Sequence, residues 1–382
     1  MDVVVVGGGI IGLSSAYYLA RAGANVTLCE KGSLGMESTA RSAGGIRMQF
    51  STEINVRLSL ASQAVWNTFD EEFEVDIAHR KSGYLFLARD EKTAQKFREN
   101  VTMQNNLGVE SEYLSPLEAT DYCPGLQSNR FLAATYNAAD GYADPNLAVQ
   151  GYATKARERD VDIRTKTGVL DIVTDDSGVT GVETDSGKLE ADYVVNTAGA
   201  WAANLAALAG IDLPISPRRR QIAIVDPTQP LPEDHPLTID LDTGSYFRPE
   251  RDGAAIVGGH FSDEDNNVDP STYSDSMSLE WAATAVEHAA NYTAYFDGES
   301  RIRRGWAGLY AVTPDHHPII EETIPGFITA AGFSGHGFQH APATGKLVAE
   351  LCIDGKPSLV NIDPLSSHRF ENDNELIEQN VA

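Results

Sequence analysis

The sequence has few cysteines, few lysines and no long apolar run. Its three cysteines, Cys29, Cys123 and Cys352, are an odd number without CxxC spacing, which disfavours a disulfide framework or a structural zinc site. No apolar stretch approaches the ~20 residues that a membrane helix needs. Met1 and Asp2 lead straight into an apolar strand, without the basic segment of a secretory signal. These absences predict a cytoplasmic protein with no membrane span.

Lysine is scarce in a strongly acidic chain. Lysines are 9 of the 29 basic residues, against 55 acidic residues, so the net charge is −26. This charge disfavours binding to nucleic acid or to an anionic membrane, because phosphates would be repelled. A carboxylate-rich, lysine-poor surface also suits a protein that stays soluble in concentrated salt, where screening weakens self-repulsion. We therefore interpret the composition as halophilic; the alternative is an ordinary acidic cytosolic protein.

The chain is long enough for a large core and opens with a nucleotide-binding pattern. Its 382 residues, 42% of them hydrophobic, predict two domains or one elaborate one. The β-branched run of residues 3–6 predicts a buried strand, and it leads into Gly7, Gly9 and Gly12 with the spacing GxGxxG. These glycines allow a tight turn, close approach to a pyrophosphate and close packing of helix on strand. A second strand ends on Glu30, placed to bind an adenosine ribose. The pattern predicts a dinucleotide but does not separate NAD from FAD.

Four later segments are rich in glycine, hydroxyl or other small side chains. They are residues 34–47, which also hold two arginines, the strand end at 194–201, the stretch 305–315 and the turn 332–339. The last precedes a helix predicted from about Ala341 to Cys352. A helix that begins after a glycine-rich turn suits an oxyanion or an electron-rich ring edge.

Taken in this order, the motifs resemble those of the glutathione-reductase-type FAD oxidoreductases of the D-amino-acid oxidase class, which includes glycine and sarcosine oxidases. The resemblance runs from Val3 to about Leu351 and is strongest to the β subunits of multi-subunit sarcosine oxidases and proline dehydrogenases. Residues 38–47, the Thr-Pro-Asp turn at 313–315 and the Gly-His-Gly-Phe turn at 335–338 are specific when they occur together.

The resemblance implies an α/β (α+β) fold with two domains. A discontinuous, Rossmann-like FAD-binding domain of glutathione-reductase type would comprise residues 1–83, 141–215 and 305–370. A smaller substrate domain with a mixed β-sheet would comprise residues 84–140 and 216–304. Residues 371–382 are polar and acidic, which predicts a frayed tail.

The resemblance also implies which residues contact FAD and what the cofactor does. The implied reaction is hydride transfer from a carbon that bears an amine to flavin N5, after which the imine hydrolyses. The implied cofactor-binding residues are Gly7, Gly9, Ile10, Gly12, Glu30, Lys31, Ser38, Thr39, Gly44, Gly45, Val169, Ala198, Gly199, Trp201, Gly308, Gly335, His336, Gly337, Phe338 and Gln339.

Departures from the family pattern bear on mechanism. Gly308 stands where monomeric sarcosine oxidases carry the cysteine that bonds the flavin, so we expect non-covalent FAD. Gln339 replaces a carboxylate-binding lysine, and about Ile256 replaces the lysine that activates oxygen. The missing lysine favours a dehydrogenase that passes electrons to an acceptor other than oxygen.

The residue that binds the substrate carboxylate stays open among six candidates: Arg47, Tyr246, Arg248, Tyr310, His336 and Gln339. Arg47 and Arg248 offer bidentate geometry for an anion. The alternatives are that Arg47 binds a flavin phosphate, that Tyr246 is packed in a strand, that Arg248 pairs with Asp252 at the surface and that His336 serves a flavin carbonyl. Tyr310 replaces an arginine of glycine and D-amino-acid oxidases, although monomeric sarcosine oxidases have a tyrosine there.

Two other clusters are interpreted as structural. His316 and His317 lack a third ligand, so we expect no metal. The basic run at 218–220 is interpreted as a salt-bridge cluster at a strand edge.

The sequence thus predicts an FAD-dependent dehydrogenase of a small amine or amino acid, either a subunit of a larger complex or a homo-oligomer. The alternatives are a 2-hydroxy-acid or glycerol-3-phosphate dehydrogenase on the same fold and, in another class, an NAD-linked or non-redox dinucleotide-binding protein.

Overall fold

A computed structural model describes residues 1–261, 266–371 and 376–381. In these ranges, no helix combines the length and apolar content needed to cross a membrane. The helices are α1 Ile10–Arg21, α2 Glu53–Trp66, α3 Phe69–Phe73, α4 Glu91–Asn106, α5 Pro145–Arg157, α6 Ala202–Ala207, α7 Leu279–Ala290 and α8 Gly337–Asp354. The strands are β1 Asp2–Val6, β2 Asn25–Glu30, β3 Gly45–Ile46, β4 Tyr84–Ala88, β5 Glu112–Leu114, β6 Ala133–Asn137, β7 Gly141–Tyr142, β8 Asp162–Thr165, β9 Val169–Asp175, β10 Gly178–Thr184, β11 Gly187–Glu190, β12 Tyr193–Asn196, β13 Ser216–Asp226, β14 Leu237–Asp240, β15 Ser245–Pro249, β16 Ala255–Gly259, β17 Arg301–Val312, β18 Ile319–Ile324 and β19 Phe327–Ala331.

A six-stranded sheet in the order β18-β19-β12-β1-β2-β8 carries the nucleotide-binding pattern. Its strands are parallel except for β18, which runs antiparallel to β19. Val3, Val4 and Val5 of the central strand are buried, as expected for a strand covered on both faces. The carboxyl ends of β1, β2 and β12 therefore meet at one edge, where open α/β sheets bind ligands.

Helices α1 and α8 pack closely on this sheet, although more than 300 residues separate them in the chain. A Cβ at Gly345 would lie 2.3 Å from Ser14 Oγ, so only glycine permits this approach. The Ser14 hydroxyl donates to the carbonyl of Ala341 at 2.8 Å. This packing brings the two N-termini to the same edge of the sheet. Helix α8 begins at Gly337, four residues before its predicted start.

An eight-stranded mixed sheet in the order β17-β13-β16-β15-β14-β4-β6-β5 forms the second large layer. Its pairs are antiparallel except for β14 with β4. Helix α7 covers one face, where Trp281 and Ala285 pack against Phe247 in a common core. These features confirm the α/β fold with a Rossmann-like sheet and a second mixed sheet, whereas the domain boundaries stay a prediction.

Candidate functional site

The turn after β1 is built for a close backbone approach. Gly7 has a φ of +111°, and a Cβ at Gly12 would lie 1.9 Å from the Gly7 carbonyl oxygen. Helix α1 starts after Gly9 without a side-chain cap and has no acidic residue in its first turn. Thr39 Oγ1 accepts from the amide of Ile10 at 3.2 Å. The helix N-terminus therefore offers donors and partial positive charge to an anion.

The acid at the end of β2 is held beside this turn. Glu30 accepts from the Gly8 amide at 2.7 Å and from the Gly32 amide at 2.6 Å. The ammonium of Lys31 lies 3.2 Å from the centroid of the Trp201 ring, and burial lowers its pKa. Both side chains border the same opening, which suits a ribose and an adenine ring.

A cavity of about 440 Å³ extends from Glu30, along residues 33–43, to the end of the mixed sheet. Its volume lies within the range of about 300–1,000 Å³ that ligand pockets span. The predicted site residues that line it are Gly7, Gly9, Ile10, Glu30, Lys31, Ser38, Thr39, Val169, Ala198, Gly199, Trp201, Tyr246, Gly308, Tyr310, Gly335, Gly337 and Phe338. We call the part near Glu30 the outer end and the part near Tyr310 the inner end.

A second helix N-terminus faces the inner end. Helix α8 has no capping side chain and no acidic residue in its first turn. Gly337 and Phe338 of that turn line the cavity. A Cβ at Gly335 would lie 2.2 Å from the Tyr310 ring, so this glycine lets the tyrosine pack against the turn. Open amides at this place suit an electron-rich ring edge.

Seven predicted site residues do not line the cavity: Gly12, Gly44, Gly45, Arg47, Arg248, His336 and Gln339. Each of the three glycines allows close packing, because an added Cβ would collide with a neighbouring atom, and their predicted cofactor contacts stay predictions. At Gly44 this atom is the Ala143 carbonyl oxygen, 2.1 Å away, and at Gly45 it is the Tyr84 hydroxyl, 2.0 Å away. The other four are buried and hydrogen-bond to protein groups.

Arg47 is buried behind the inner end. Its guanidinium donates to the carbonyls of Gln49 and Asn380 and lies 3.9 Å from the Phe50 ring centroid. Burial lowers its pKa, and Tyr84, Glu378 and Asp140 oppose that effect. These contacts join Arg47 to the protein, and its predicted role toward substrate or flavin stays a prediction.

Asp140 lies in the same buried layer. Its carboxylate accepts from the Met48 amide at 2.8 Å and from Gln49 Nε2 at 3.1 Å. Burial raises the pKa of Asp140 to about 7, although these bonds and Arg47 lower it. This carboxyl group therefore titrates close to neutral pH.

Gln339, His336 and Arg248 are also engaged. Gln339 Oε1 accepts from the Arg47 amide at 2.7 Å, and His336 Nε2 donates to the His316 carbonyl at 2.9 Å. Burial and the nearby Arg47 lower the pKa of His336, so its imidazole is neutral. Arg248 is buried, donating to the Ala43 and Pro249 carbonyls, so the predicted surface pair with Asp252 is wrong.

Residues 376–381, which we call the C-terminal strap, correct the prediction of a frayed tail. Glu378 is 1% exposed. Its carboxylate accepts from the Ser51 amide at 2.8 Å, Thr52 Oγ1 at 2.8 Å and Asn55 Nδ2 at 3.0 Å. Burial raises the pKa of Glu378, but the hydrogen bonds from Ser51 and Asn55 and the charge of Arg47 outweigh burial and lower it overall. The strap therefore carries a buried carboxylate whose negative charge stabilises the positive charge of Arg47.

The sequence analysis placed Arg220 in a salt-bridge cluster at a strand edge and did not name His260 as a site residue. Both line the inner end, and the strand of Arg220, β13, is paired on both sides. Arg220 lies on β13 opposite Gly308 of β17, and its Cζ is 5.7 Å from the Tyr310 ring centroid. The His260 ring packs edge-on against Tyr310 with a centroid distance of 5.4 Å. The sequence signal for Arg220 was the alternation of side chains along β13, because neighbouring residues of a strand point to opposite faces. Arg219 points away from the cavity and donates to the carbonyls of Ser274 and Ser276.

The residues present fit FAD. Two helix N-termini whose N-cap residues make no side-chain hydrogen bond open into one cavity, and a Cβ at Gly9 would project to 3.4 Å from Thr39 Oγ1. One cysteine, Cys29, is found among the described lining residues. Burial raises the pKa of its thiol to about 11, which disfavours a reactive thiolate in the cavity. Across the described ranges, no group of three or more histidine, cysteine or carboxylate residues could hold a metal ion.

Comparisons with known proteins agree with this geometry. The model of the FAD dependent oxidoreductase family, DAO, matches residues 2–351. FAD-dependent oxidoreductase domain-containing protein 1 of Xenopus laevis is 31% identical, over 100% of this chain and 85% of its own length. Sarcosine oxidase subunit beta of Arthrobacter sp. is 28% identical, over 100% of this chain and 94% of its own.

A solved structure shares the whole architecture. The crystal structure of L-proline dehydrogenase from P. horikoshii superposes with a TM-score of 0.88 at 35% identity, covering 98% of both chains. This similarity extends over both large sheets, and the family match includes the glycine-rich turn and the start of α8. The chain therefore belongs to the FAD dependent oxidoreductase family, and FAD is its cofactor.

Proposed function

We propose that the protein oxidises the carbon–nitrogen bond of a small amine or amino acid of the sarcosine, proline or D-amino-acid kind. The observation that carries the proposal is the inner end of the cavity, where Tyr246 and Tyr310 face the start of α8. The names of two relatives, L-proline dehydrogenase and sarcosine oxidase subunit beta, support the same bond type. The cofactor-binding residues would be the predicted residues that line the cavity.

The side chains at the inner end suit an uncharged amine. Bound FAD supplies the two-electron oxidation of the carbon that bears the nitrogen. The substrate loses two electrons and two protons, and water then splits the imine into a carbonyl compound and an amine or ammonia. Burial raises the pKa of Tyr246 and of Tyr310, so both hydroxyls stay protonated and can donate hydrogen bonds. A buried setting also favours the neutral amine over ammonium, as the oxidation requires.

We also propose a dehydrogenase rather than an oxidase. One lysine, Lys31, is found among the described lining residues, and it packs on Trp201 at the outer end rather than at the inner end. Ile256, near the position of the oxygen-activating lysine, is buried in an apolar cluster with Tyr246. An electron acceptor other than oxygen would then reoxidise the flavin.

The deciding experiment is anaerobic bleaching of the bound flavin by sarcosine, proline, D-amino acids and 2-hydroxy acids. Bleaching by an amine supports the proposal, and bleaching by 2-hydroxy acids alone would overturn it. Mixing the reduced enzyme with oxygen or with dichlorophenolindophenol then separates oxidase from dehydrogenase. Faster reoxidation by oxygen than by the dye would contradict a dehydrogenase.

His260 supports a second candidate function, the oxidation of a 2-hydroxy acid or of glycerol 3-phosphate. Oxidation of a 2-hydroxy acid or of glycerol 3-phosphate needs a base for the hydroxyl proton, and an imidazole serves this role. His260 lines the inner end beside Tyr310. The same substrate panel tests this alternative.

We further propose a cytoplasmic protein that works as a subunit of a larger complex or as a homo-oligomer. The three cysteines are buried and free, which suits a reducing compartment. The name of the relative sarcosine oxidase subunit beta supports membership of a complex. Light scattering of the protein purified from its native cells would measure the assembled mass.

A further inference from the structure

His317 lies in a buried chain of hydrogen bonds that joins the turn at 313–315 to the C-terminal strap. The His317 side chain is buried, as is that of Asp315. Its Nδ1 lies 3.0 Å from the carbonyl oxygen of Asp315. Its Nε2 lies 2.9 Å from Thr52 Oγ1, and the Thr52 hydroxyl donates to the Glu378 carboxylate at 2.8 Å. One hydroxyl group therefore connects the histidine to the strap.

These contacts fix the protonation state of His317. A carbonyl oxygen only accepts hydrogen bonds, so Nδ1 must carry a proton to bond to Asp315. The Thr52 hydroxyl has a single proton, which it donates to the ionised Glu378, so its oxygen accepts from Nε2. Only an imidazolium donates from both ring nitrogens. His317 is thus a buried cation that the proposed oxidation does not use.

An arginine and a carboxylate face His317 on the side away from the strap. Arg369 donates to the two carboxylate oxygens of Asp315 at 2.7 and 3.1 Å and to the His317 carbonyl at 2.9 Å. Burial raises the pKa of Asp315, but hydrogen bonds from His317 and Arg369 outweigh burial and lower it overall. Asp315 thus serves two cations, and Glu378 of the strap supplies a further negative charge to the cluster.

Two histidines of α8 and Arg47 complete the charged and titratable groups around His317. Burial above all, and then the charges of Arg47 and His317, lower the pKa of His336. Burial and the same charges, together with His336, lower the pKa of His340. His336 and His340 therefore stay neutral at pH 7. Neither of them can replace His317 as the cation beside the strap.

The backbone of the strap is fixed to the same turn. The Glu378 amide donates at 3.0 Å to the Asp315 carbonyl oxygen, which His317 Nδ1 also contacts. The Asn380 carbonyl, two residues later, accepts from Arg47. Docking of the strap therefore places a negative charge close to His317, and a neutral imidazole would lose one of its two hydrogen bonds.

We propose that His317 is a proton-dependent latch for the C-terminal strap: its imidazolium holds residues 376–381 in place, and loss of the proton releases them. The inference does not depend on the substrate and goes beyond the proposed function. Because docking and protonation favour each other, the strap is held most tightly in mildly acidic solution and loosens as the pH rises. Release removes the Asn380 carbonyl from Arg47 and so links pH to the layer behind the inner end.

The test measures hydrogen exchange of the C-terminal peptide in the holoenzyme, expressed as protection relative to the unstructured rate at each pH. It uses an Asp140→Asn background, which removes another group of the buried layer that titrates near neutral pH. We expect protection at Glu378 to fall by up to about 10-fold per pH unit between pH 6 and 9, because release is linked to one proton.

His317→Gln keeps a hydrogen-bond donor but has no charge. This substitution should lower the protection about 10- to 100-fold at pH 6 and abolish its pH dependence, since a charge-assisted hydrogen bond is lost. His368→Gln is the matched control, because it removes an exposed histidine that pairs with Glu371 at the surface. It should leave the protection and its pH dependence unchanged.

A second readout needs no substitution at His317. In nitrogen-15 NMR spectra of histidine-labelled protein at pH 6, both ring nitrogens of His317 should carry a proton, and ring-to-backbone correlations assign the signals. A single protonated nitrogen, or equal protection from pH 6 to 9, would overturn the inference. A pH dependence that persists in His317→Gln would also overturn it. If His317→Gln does not fold, the NMR spectra and the pH profile of the chain with His317 intact still decide.

Discussion

The two ends of the cavity are built in different ways. At the outer end, backbone amides and glycines from residues 7–12 form the binding surface, and Glu30 follows within the same supersecondary unit. At the inner end, Arg220, Tyr246, His260 and Tyr310 come from β13, β15 and β17 and from the residue after β16. The outer end depends on local backbone geometry, whereas the inner end depends on the packing of distant segments.

This difference predicts how each end fails. A substitution at the outer end should act on cofactor affinity through one local collision or one lost acceptor. A substitution in the buried layer behind the inner end should act on global stability, because charges there are paired only through tertiary contacts.

The largest effect is expected from Glu378→Ala. The substitution removes the hydrogen-bond acceptor for Ser51, Thr52 and Asn55. It also removes the negative charge of the strap that interacts with Arg47. Breaking a buried ionic arrangement costs about 3–5 kcal/mol. Urea unfolding measures the change in free energy. The exposed Glu371, which pairs with His368 at the surface, provides the control Glu371→Ala. Similar losses in both variants would contradict an anchoring role.

A pH effect should follow from Asp140. Its folded pKa of about 7 lies above its ordinary value of 3.8. Its contribution to stability is therefore present below about pH 4 and is lost as the pH rises through 7. The loss amounts to at most about 4 kcal/mol by pH 8. The free energy of unfolding at pH 4.5 and 8 should differ less in Asp140→Asn than in wild type; an unchanged difference would refute this assignment.

A local collision should appear in Gly12→Ala. The new methyl group would lie 1.9 Å from the Gly7 carbonyl oxygen, so the turn must move. We expect FAD affinity to fall about 100-fold, equivalent to about 3 kcal/mol of strain. Fluorescence titration of the apoprotein with FAD measures it. At Gly298 an added Cβ meets nothing within 4 Å, so Gly298→Ala is the matched control.

The smallest effect is expected from Glu30→Gln, which replaces a charged acceptor with a neutral one. The lost charge should weaken FAD binding about 10-fold. The same titration measures the change, with the exposed Glu183→Gln as its reference. If Glu30→Gln instead destabilised the protein as much as Glu378→Ala, the contrast between the two ends would be wrong.

The sequence pattern of the outer end is local, so its residues could be expected to lie together. Gly7, Gly9 and Glu30 lie where the strand–turn–helix spacing predicts them. Tyr246 and Tyr310 also reach the cavity. The hydrogen-bond partners of Arg47 could not be predicted from the sequence, because one of them, Asn380, lies 333 residues further along the chain. The cavity position of Arg220 was not predicted, because the face that a strand turns to a cavity depends on what packs over it.

The prediction of a frayed tail at 371–382 is wrong for residues 376–381 for the same reason, whereas residues 372–375 and 382 lie outside the described residues. An acidic composition does not reveal that Ser51, Thr52 and Asn55 provide donors for one of its carboxylates. The halophilic interpretation stays a prediction, and the salt dependence of the free energy of unfolding would test it.

The strap also sets an order of events during synthesis. Glu378 bonds to Ser51, which precedes it by 327 residues. A ribosome therefore makes the glycine-rich turn, both sheets and α8 before it makes the group that balances Arg47. Until residues 376–381 leave the exit tunnel, the nascent chain lacks Glu378 and the Asn380 carbonyl, two of the groups that stabilise Arg47. The contacts of Arg47 with this segment are therefore completed only after both large sheets have been made.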